Sequence, residues 1–202
     1  HDIGRVTHGD DHDRLFKIAM QGGYKAMDEL RSQGLVSAIG LGVNEYEVCE
    51  QAMDHGYFDC FLLAGRYTLL EQKAIESFLP RCLKENSSIV LGGPYNSGIL
   101  ATGVKREGVI PHYNYAPANE DIINTVRRIE DICQEHNVPL AAAALQFPLA
   151  HPSVVSVIPG LSSASRVETT ALQMQHVIPS EFWSALKNAG LLAADIPVPS
   201  AT

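Results

Sequence analysis

Three clusters in this chain have the residue types and spacing to do chemistry. The first is Gly160–Thr170, where the run ending in Ile158-Pro159 gives way to Ser162, Ser163 and Ser165 and then Arg166. A loop that closes a strand and opens a helix presents free backbone N–H groups and the positive end of the helix dipole, and both attract an anion. The serine hydroxyls and the guanidinium strengthen that attraction. The same serines also suit plain helix capping without a ligand. The second cluster is Gly92-Gly93-Pro94-Tyr95-Asn96-Ser97-Gly98. Its glycines allow a ligand close to the backbone, and equally allow a turn that binds nothing. The third is His8, Asp10, Asp11, His12 and Asp13. These are metal-ligand types, but their spacing fits no rigid frame, and the segment reads as a solvated loop with no metal. Cys49, Cys60, Cys82 and Cys133 form no CxxC pair. No disulfide framework is expected, a reducing cytoplasm is the natural compartment, and Cys60 reads as core.

The elements that must position these clusters alternate between strand and helix. Four short runs, Ala38–Val43, Asp59–Ala64, Ser88–Gly93 and Val154–Pro159, are uniformly apolar or β-branched. Such runs are expected of parallel strands buried on both faces. Helices are expected over Lys25–Gln33, from a capping box Asn44-Glu45-Tyr46-Glu47 to Gly56, and over Glu71–Glu85. Four more follow at Asp121–Glu135, Pro139–Leu149, Ser163–Gln175 and Ser180–Asn188. Ile122, Val126, Ile129 and Cys133 form a helical stripe. The longest irregular region, Tyr95–Asn119, is rich in Gly, Pro and Tyr. Loops of that length are usually functional, and in α/β folds they lie at the carboxyl ends of strands. This pattern gives a parallel α/β domain and leaves open sheet and closed barrel undecided.

The 202 residues carry 46% hydrophobic and 19% charged side chains, ordinary for a globular protein. Net charge is −8 and the pI about 5.4, which argues against a nucleic-acid partner. No apolar run approaches the roughly 20 residues of a membrane helix. The chain starts at His1 without a Met.

Five segments in order resemble the second half of the aldo/keto reductase family. His1-Asp2 resembles the end of the family's fourth strand. Ala38–Asn44 resembles the fifth strand and its turn, and Tyr67-Thr68-Leu69-Leu70 the segment after the sixth. Gly93–Leu100 resembles the turn after the seventh, and Pro139–Gly160 the helix and strand that lead into Ile158-Pro159-Gly160. Within the family, Thr7-His8-Gly9, Gly40–Glu45 and Ala64–Glu71 look most like its aldose 1-dehydrogenase and pyridoxal 4-dehydrogenase group.

The resemblance implies a (β/α)8 TIM-type barrel of which residues 1–202 supply strands five to eight. It implies hydride transfer between a nicotinamide cofactor and the carbonyl or lactol carbon of a small molecule, an aldose or a pyridoxal-like aldehyde. The family's Tyr, Lys, Asp and His tetrad is represented here by His1 alone, so the isolated chain is expected to be inactive and to expose apolar surface, dimerise or aggregate. The resemblance places the pyrophosphate against Pro94, Tyr95 and Ser97, and the adenosine end against Ile158, Gly160, Ser162, Ser163, Arg166 and Thr170. Where the family holds the nicotinamide amide with Ser-Asn, this chain has Gly42-Val43, and Asn44 falls one place later, as amide ligand or as helix cap. Ala64 and Gly92 replace the family's amide-binding Gln and stacking aromatic. Arg66 and Tyr67 share that rim as substitutes or as solvated neighbours. A Lys that holds the 2′-phosphate of NADP is replaced by Gly160, and an Asn by Thr170. NAD is therefore expected to serve at least as well as NADP. The alternative function is a nicotinamide-binding or regulatory protein on the same barrel without turnover.

Overall fold

The structure, a computed structural model, describes residues 1–106 and 108–200. In chain order its elements are α1 (Arg5–His8), α2 (His12–Ile18), α3 (Lys25–Ser32), β1 (Gly40–Val43), α4 (Tyr46–Met53), β2 (Cys60–Ala64), α5 (Phe78–Glu85) and β3 (Ser88–Gly92). Then come α6 (Ile99–Thr102), β4 (His112–Tyr113), β5 (Ala116–Pro117), α7 (Glu120–Glu135), α8 (Leu140–Gln146), β6 (Val154–Ile158), α9 (Ala164–Gln175) and α10 (Ser180–Asn188). The four apolar runs become one parallel sheet in the order β1-β2-β3-β6.

The expectation of two-sided burial is corrected. In β2, Phe61 and Leu63 are fully buried while Leu62 between them is 39% exposed. Its row in register is Gly42, Leu62, Val90 and Ser156. On the other face Phe61, Leu63, Ile89 and Leu91 form a core with Phe78, Phe147, Phe182 and Trp183. Val155 and Ile158 of β6 are 60% and 51% exposed. The strands thus carry apolar residues for two faces, and the described helices cover one.

Three other expectations change. The loop expected at residues 8–13 is helical. Residues 5–32 run through α1, a 3-10 turn, α2, a π-turn over Ala19–Tyr24 and α3. His12, Phe16, Met20 and Tyr24 recur every four residues and face the core, with His12 packed 5.7 Å from Phe16 and Tyr24 5.0 Å from Phe58. A stripe at that spacing is a helical face. The helix expected from Glu71 begins only at Phe78, after a 3-10 turn at Lys73–Ile75. Thr68 Oγ1 accepts the N–H groups of Leu70 and Glu71, and Gln72 Nε2 donates to the carbonyls of Thr68 and Leu69. Side chains therefore hold this backbone in a turn. Asn44 does not cap α4, because the helix starts at Tyr46 behind Glu45, which makes no side-chain cap bond.

Candidate active site

Two openings lie side by side beyond the carboxyl ends of the strands. The larger, a groove of about 680 Å³ beyond β3 and β6, brings together Pro94, Tyr95, Ser97, Gly160, Arg166 and Thr170, six of the residues expected from sequence at a nicotinamide nucleotide. Ile158 and Ser162 are exposed beside it but do not line it. Ser163 is the N-cap of α9, its Oγ accepting the Arg166 N–H at 3.3 Å. Asn44 lines the second, smaller cavity instead.

The groove's floor is set by an unusual stretch of backbone. Asn96, Ser97 and Gly98 follow one another at φ of 43, 58 and 94°. Asn and Gly tolerate this left-handed region, Ser much less so. Asn96 is buried; its Oδ1 accepts from the Thr68 hydroxyl and its Nδ2 donates to the Gly65 carbonyl at 3.0 Å. The turn after β3 is thereby bolted to the turn after β2. We expect Asn96→Ala to cost about 1–3 kcal/mol, because it strands the buried Thr68 hydroxyl and the Gly65 carbonyl. Urea unfolding measures this, and an unchanged midpoint would contradict the role.

Ser97 also carries a roof. Its Oγ accepts the Tyr115 N–H at 3.0 Å, at the tip of the β4–β5 hairpin. Asn114 and Tyr115 both have positive φ, the geometry of a two-residue hairpin turn. Tyr115, 86% exposed, overhangs the groove. The turn end of this hairpin is also tied to the other half of the rim. Tyr113 OH donates to Glu71, while Arg66 donates to Glu71 at 3.4 Å, to Asn114 Oδ1 at 3.0 Å and to the Asn44 carbonyl at 2.8 Å. Arg66 is thus a brace between the β1, β2 and hairpin segments. Burial pushes the Glu71 carboxyl up, and Arg66 and Lys73 oppose the shift. Burial also raises the Tyr95 phenol, against a hydrogen bond with Thr170 across the groove.

His1 lies at the other edge of the sheet, beside β1, on its open face. The Asp2 N–H donates to the Gly42 carbonyl at 2.8 Å, so residues 1–2 run beside the end of β1. A Cβ on Gly42 would stand 3.4 Å from His1 Cδ2, so the ring covers the glycine in the exposed row. Asp2 lies 3.2 Å from His1 Nδ1 and 3.4 Å from Asn44 Nδ2, and the His1 side chain is largely exposed. The cysteines offer no nucleophile: burial raises all four, Cys82 and Cys133 to about 12. Among the described residues no group of three His, Cys, Asp or Glu side chains is arranged to hold a metal ion, and no helix is long and apolar enough to cross a membrane.

Sequence reasoning missed Tyr115, Thr169 and Gln173, which also line the groove. Thr169, Thr170 and Gln173 share the Arg166 face of α9, a three-to-four-residue spacing readable once Arg166 is given a role. Nothing local marked Tyr115.

Comparison with known proteins matches residues 1–190 to the aldo/keto reductase family. Pyridoxal 4-dehydrogenase of Microbacterium luteolum is 42% identical over 194 residues, 96% of this chain and 56% of that protein. D-threo-aldose 1-dehydrogenase of a Pseudomonas species is 36% identical over 176 residues, 87% of this chain and 53% of that protein. The fold is similar to an aldo-keto reductase from Bacillus halodurans in its apo form, with a TM-score of 0.64 at 20% identity over 85% of this chain and 56% of that one. The chain spans about half the length of the curated relatives it matches.

Proposed function

The chain belongs to the aldo/keto reductase family, whose fold is of the TIM-barrel type, and from that premise we propose that it forms strands five to eight of a nicotinamide-dependent dehydrogenase barrel. The observation that carries this reading is the groove, where turns more than 60 residues apart in sequence converge at one rim. The residues fit a dinucleotide. The N–H groups of Ser97 and of Ala164 and Ser165 at the start of α9 make no backbone hydrogen bond among the described residues and remain for an oxyanion, whereas those of Asn96 and Gly98 are held by the Gly93 and Tyr95 carbonyls. Arg166 adds a cation, and a Cβ at Gly98 or Gly160 would meet no atom within 4 Å, so the cradle is open. Ser97 and the Tyr95–Thr170 pair would hold the pyrophosphate and ribose.

Bound there, the nicotinamide would supply hydride transfer to or from the carbonyl or lactol carbon of a sugar or pyridoxal-like substrate. His1 receives the substrate oxygen at Nε2, with Asp2 fixing the ring through Nδ1. Calorimetric titration tests the groove. NAD is expected to bind, and Arg166→Ala to weaken it by about tenfold or more, the worth of one charge-assisted hydrogen bond. Binding that ignores both Arg166→Ala and Ser97→Ala would refute the assignment.

The open sheet face supports the half-barrel reading. Outer strands β1 and β6, each paired with one strand only among the described residues, and exposed Leu62, Val155 and Ile158 favour association. Sedimentation of the isolated chain should show concentration-dependent association, reduced by Leu62→Lys. A monodisperse monomer with a cooperative melt and full dehydrogenase turnover would contradict it.

A further inference from the structure

The smaller rim cavity, about 400 Å³ beyond β1 and β2, contains groups that the cofactor groove does not use. His12 reaches it from α2 with a side chain only 3% exposed. Its Nδ1 stands 3.0 Å from the Ile3 carbonyl, which can only accept, so Nδ1 carries a proton. Nε2 makes no hydrogen bond to a described residue, and the carboxylate of Asp13 is 3.9 Å away. Nε2 is open to the cavity rather than sealed from it, and as the unprotonated ring nitrogen it can accept a hydrogen bond from a ligand there.

The opposite wall supplies complementary groups. Lys73 lines the cavity and forms no ion pair with a described residue. The first turn of α4 opens there with its N–H groups uncapped by a side chain, because Glu45 Oε2 instead accepts the Val6 N–H at 3.0 Å. Gln51 and Glu47 continue the wall. Three cations (Arg5, Arg66 and Lys73) face three carboxylates (Glu45, Glu47 and Glu71), so the lining has no formal net charge. A dianion gains little from such a lining. Adjacent hydroxyls, each able to donate and accept, match it group for group. The cavity also adjoins the reaction centre: Asn44 lines it and donates to Asp2, which holds His1. The groove lies beyond β3 and β6, so the two ligands would approach from opposite halves of one rim.

We propose that this cavity receives the hydroxyl-bearing portion of a polyhydroxylated carbonyl substrate, an aldose, with His12 and Lys73 as its specificity-determining contacts. The proposal rests on the reading of His1 as the marker of the reaction centre. Nuclear magnetic resonance titration of the chain with D-threitol, which has the hydroxyl pattern of a D-threo-aldose and no reactive aldehyde, tests it. Pyridoxine serves as the aromatic comparison and NAD as a separate titration. D-threitol should shift the His12 ring and the amides of Glu47 and Val48. Lys73→Met should weaken that binding by about tenfold, the loss of one charge-assisted hydrogen bond, and leave NAD binding unchanged. His12→Asn should do the same. Lys73, exposed and without an ion pair among the described residues, keeps the test valid if the buried His12 variant unfolds. Pyridoxine shifting these resonances while threitol does not, or threitol binding indifferent to Lys73→Met, would overturn the proposal. Threitol binding at His12 without NAD binding in the groove would support the cavity and sink the dinucleotide reading instead.

Discussion

In the enzyme with its barrel closed, His1→Ala is expected to lower kcat on the order of 10²-fold or more and to leave dinucleotide affinity unchanged. The split follows from where His1 stands. Its ring covers Gly42 on the open sheet face, while the groove residues belong to the turns after β3 and β6. Removing the imidazole takes away no groove contact but removes the group proposed to receive the substrate oxygen, and positioned acid–base groups typically contribute 10²- to 10⁴-fold. Asp2→Asn supplies an internal control. It keeps the shape of the Nδ1 contact and removes the carboxylate that orients the ring, so it should lower kcat less than His1→Ala does. Steady-state rates with saturating cofactor, combined with calorimetric NAD binding, separate the outcomes. Unchanged turnover together with weakened NAD binding would mean that His1 serves the cofactor, and the catalytic assignment would fall.

How far the fold was legible follows from the physics of each element. The four strands were found within two residues at each end because they are continuous apolar runs, a signal that survives without context. What those runs could not say is that only one face is covered among the described residues, since apolar content records the burial a strand is built for. The stripe at Ile122, Val126, Ile129 and Cys133 located α7, which begins at Glu120 behind an Asn119 side chain that accepts the Ile122 N–H at 2.9 Å. The segment around His12 failed for the opposite reason. His12 counts as polar, so the four-residue stripe with Phe16, Met20 and Tyr24 went unread, although its ring is as buried as its apolar neighbours. The hairpin at His112–Pro117 was invisible because its arms are two residues long and Tyr115 is an unusual occupant of a positive-φ turn position.

The site divides along the same line. Each half of the groove was recognisable alone, Gly93–Ser97 by its glycines and Gly160–Thr170 by its serines and Arg166. Their convergence was not readable from the local residues and came only from the family resemblance, because it depends on β3 and β6 being neighbours in the sheet despite more than 60 residues of intervening chain. Serine capping of α9 and ligand contact were both open readings for Ser163; the N-cap bond uses its oxygen as acceptor and leaves its O–H to donate. Arg66 had been a choice between substitute ligand and solvated side chain. Its hydrogen bonds tie three rim segments together, and it lines the smaller cavity rather than the groove.

Gly160→Lys is expected to move the ratio of NADP to NAD affinity toward NADP by about tenfold or more. The backbone permits the change: Gly160 is exposed, and a Cβ built on it meets no atom within 4 Å. Substitution should therefore leave stability nearly unaltered, as surface changes usually do. The lysine would share the groove with Arg166. One cation, Arg166, already lines the groove, and under the proposed reading it can either pair with a 2′-phosphate or stack on the base and serve both cofactors. In the unaltered protein NAD should bind at least as tightly as NADP. A second cation adds a charge-assisted hydrogen bond worth roughly 1.5–3 kcal/mol, which corresponds to about 10- to 150-fold. Exposure places the gain near the lower end, and screening should shrink it further as salt rises, because the Debye length falls from about 10 Å at 0.1 M to about 3 Å at 1 M. Calorimetric titration of both dinucleotides at two salt concentrations reads the ratio and its screening. A shift that disappears in high salt identifies a through-solvent charge contact at the 2′-phosphate. No shift at low salt would mean that the turn after β6 does not hold the adenosine end, and a starting preference for NADP above about tenfold would mean that another cation already does the work of the missing lysine.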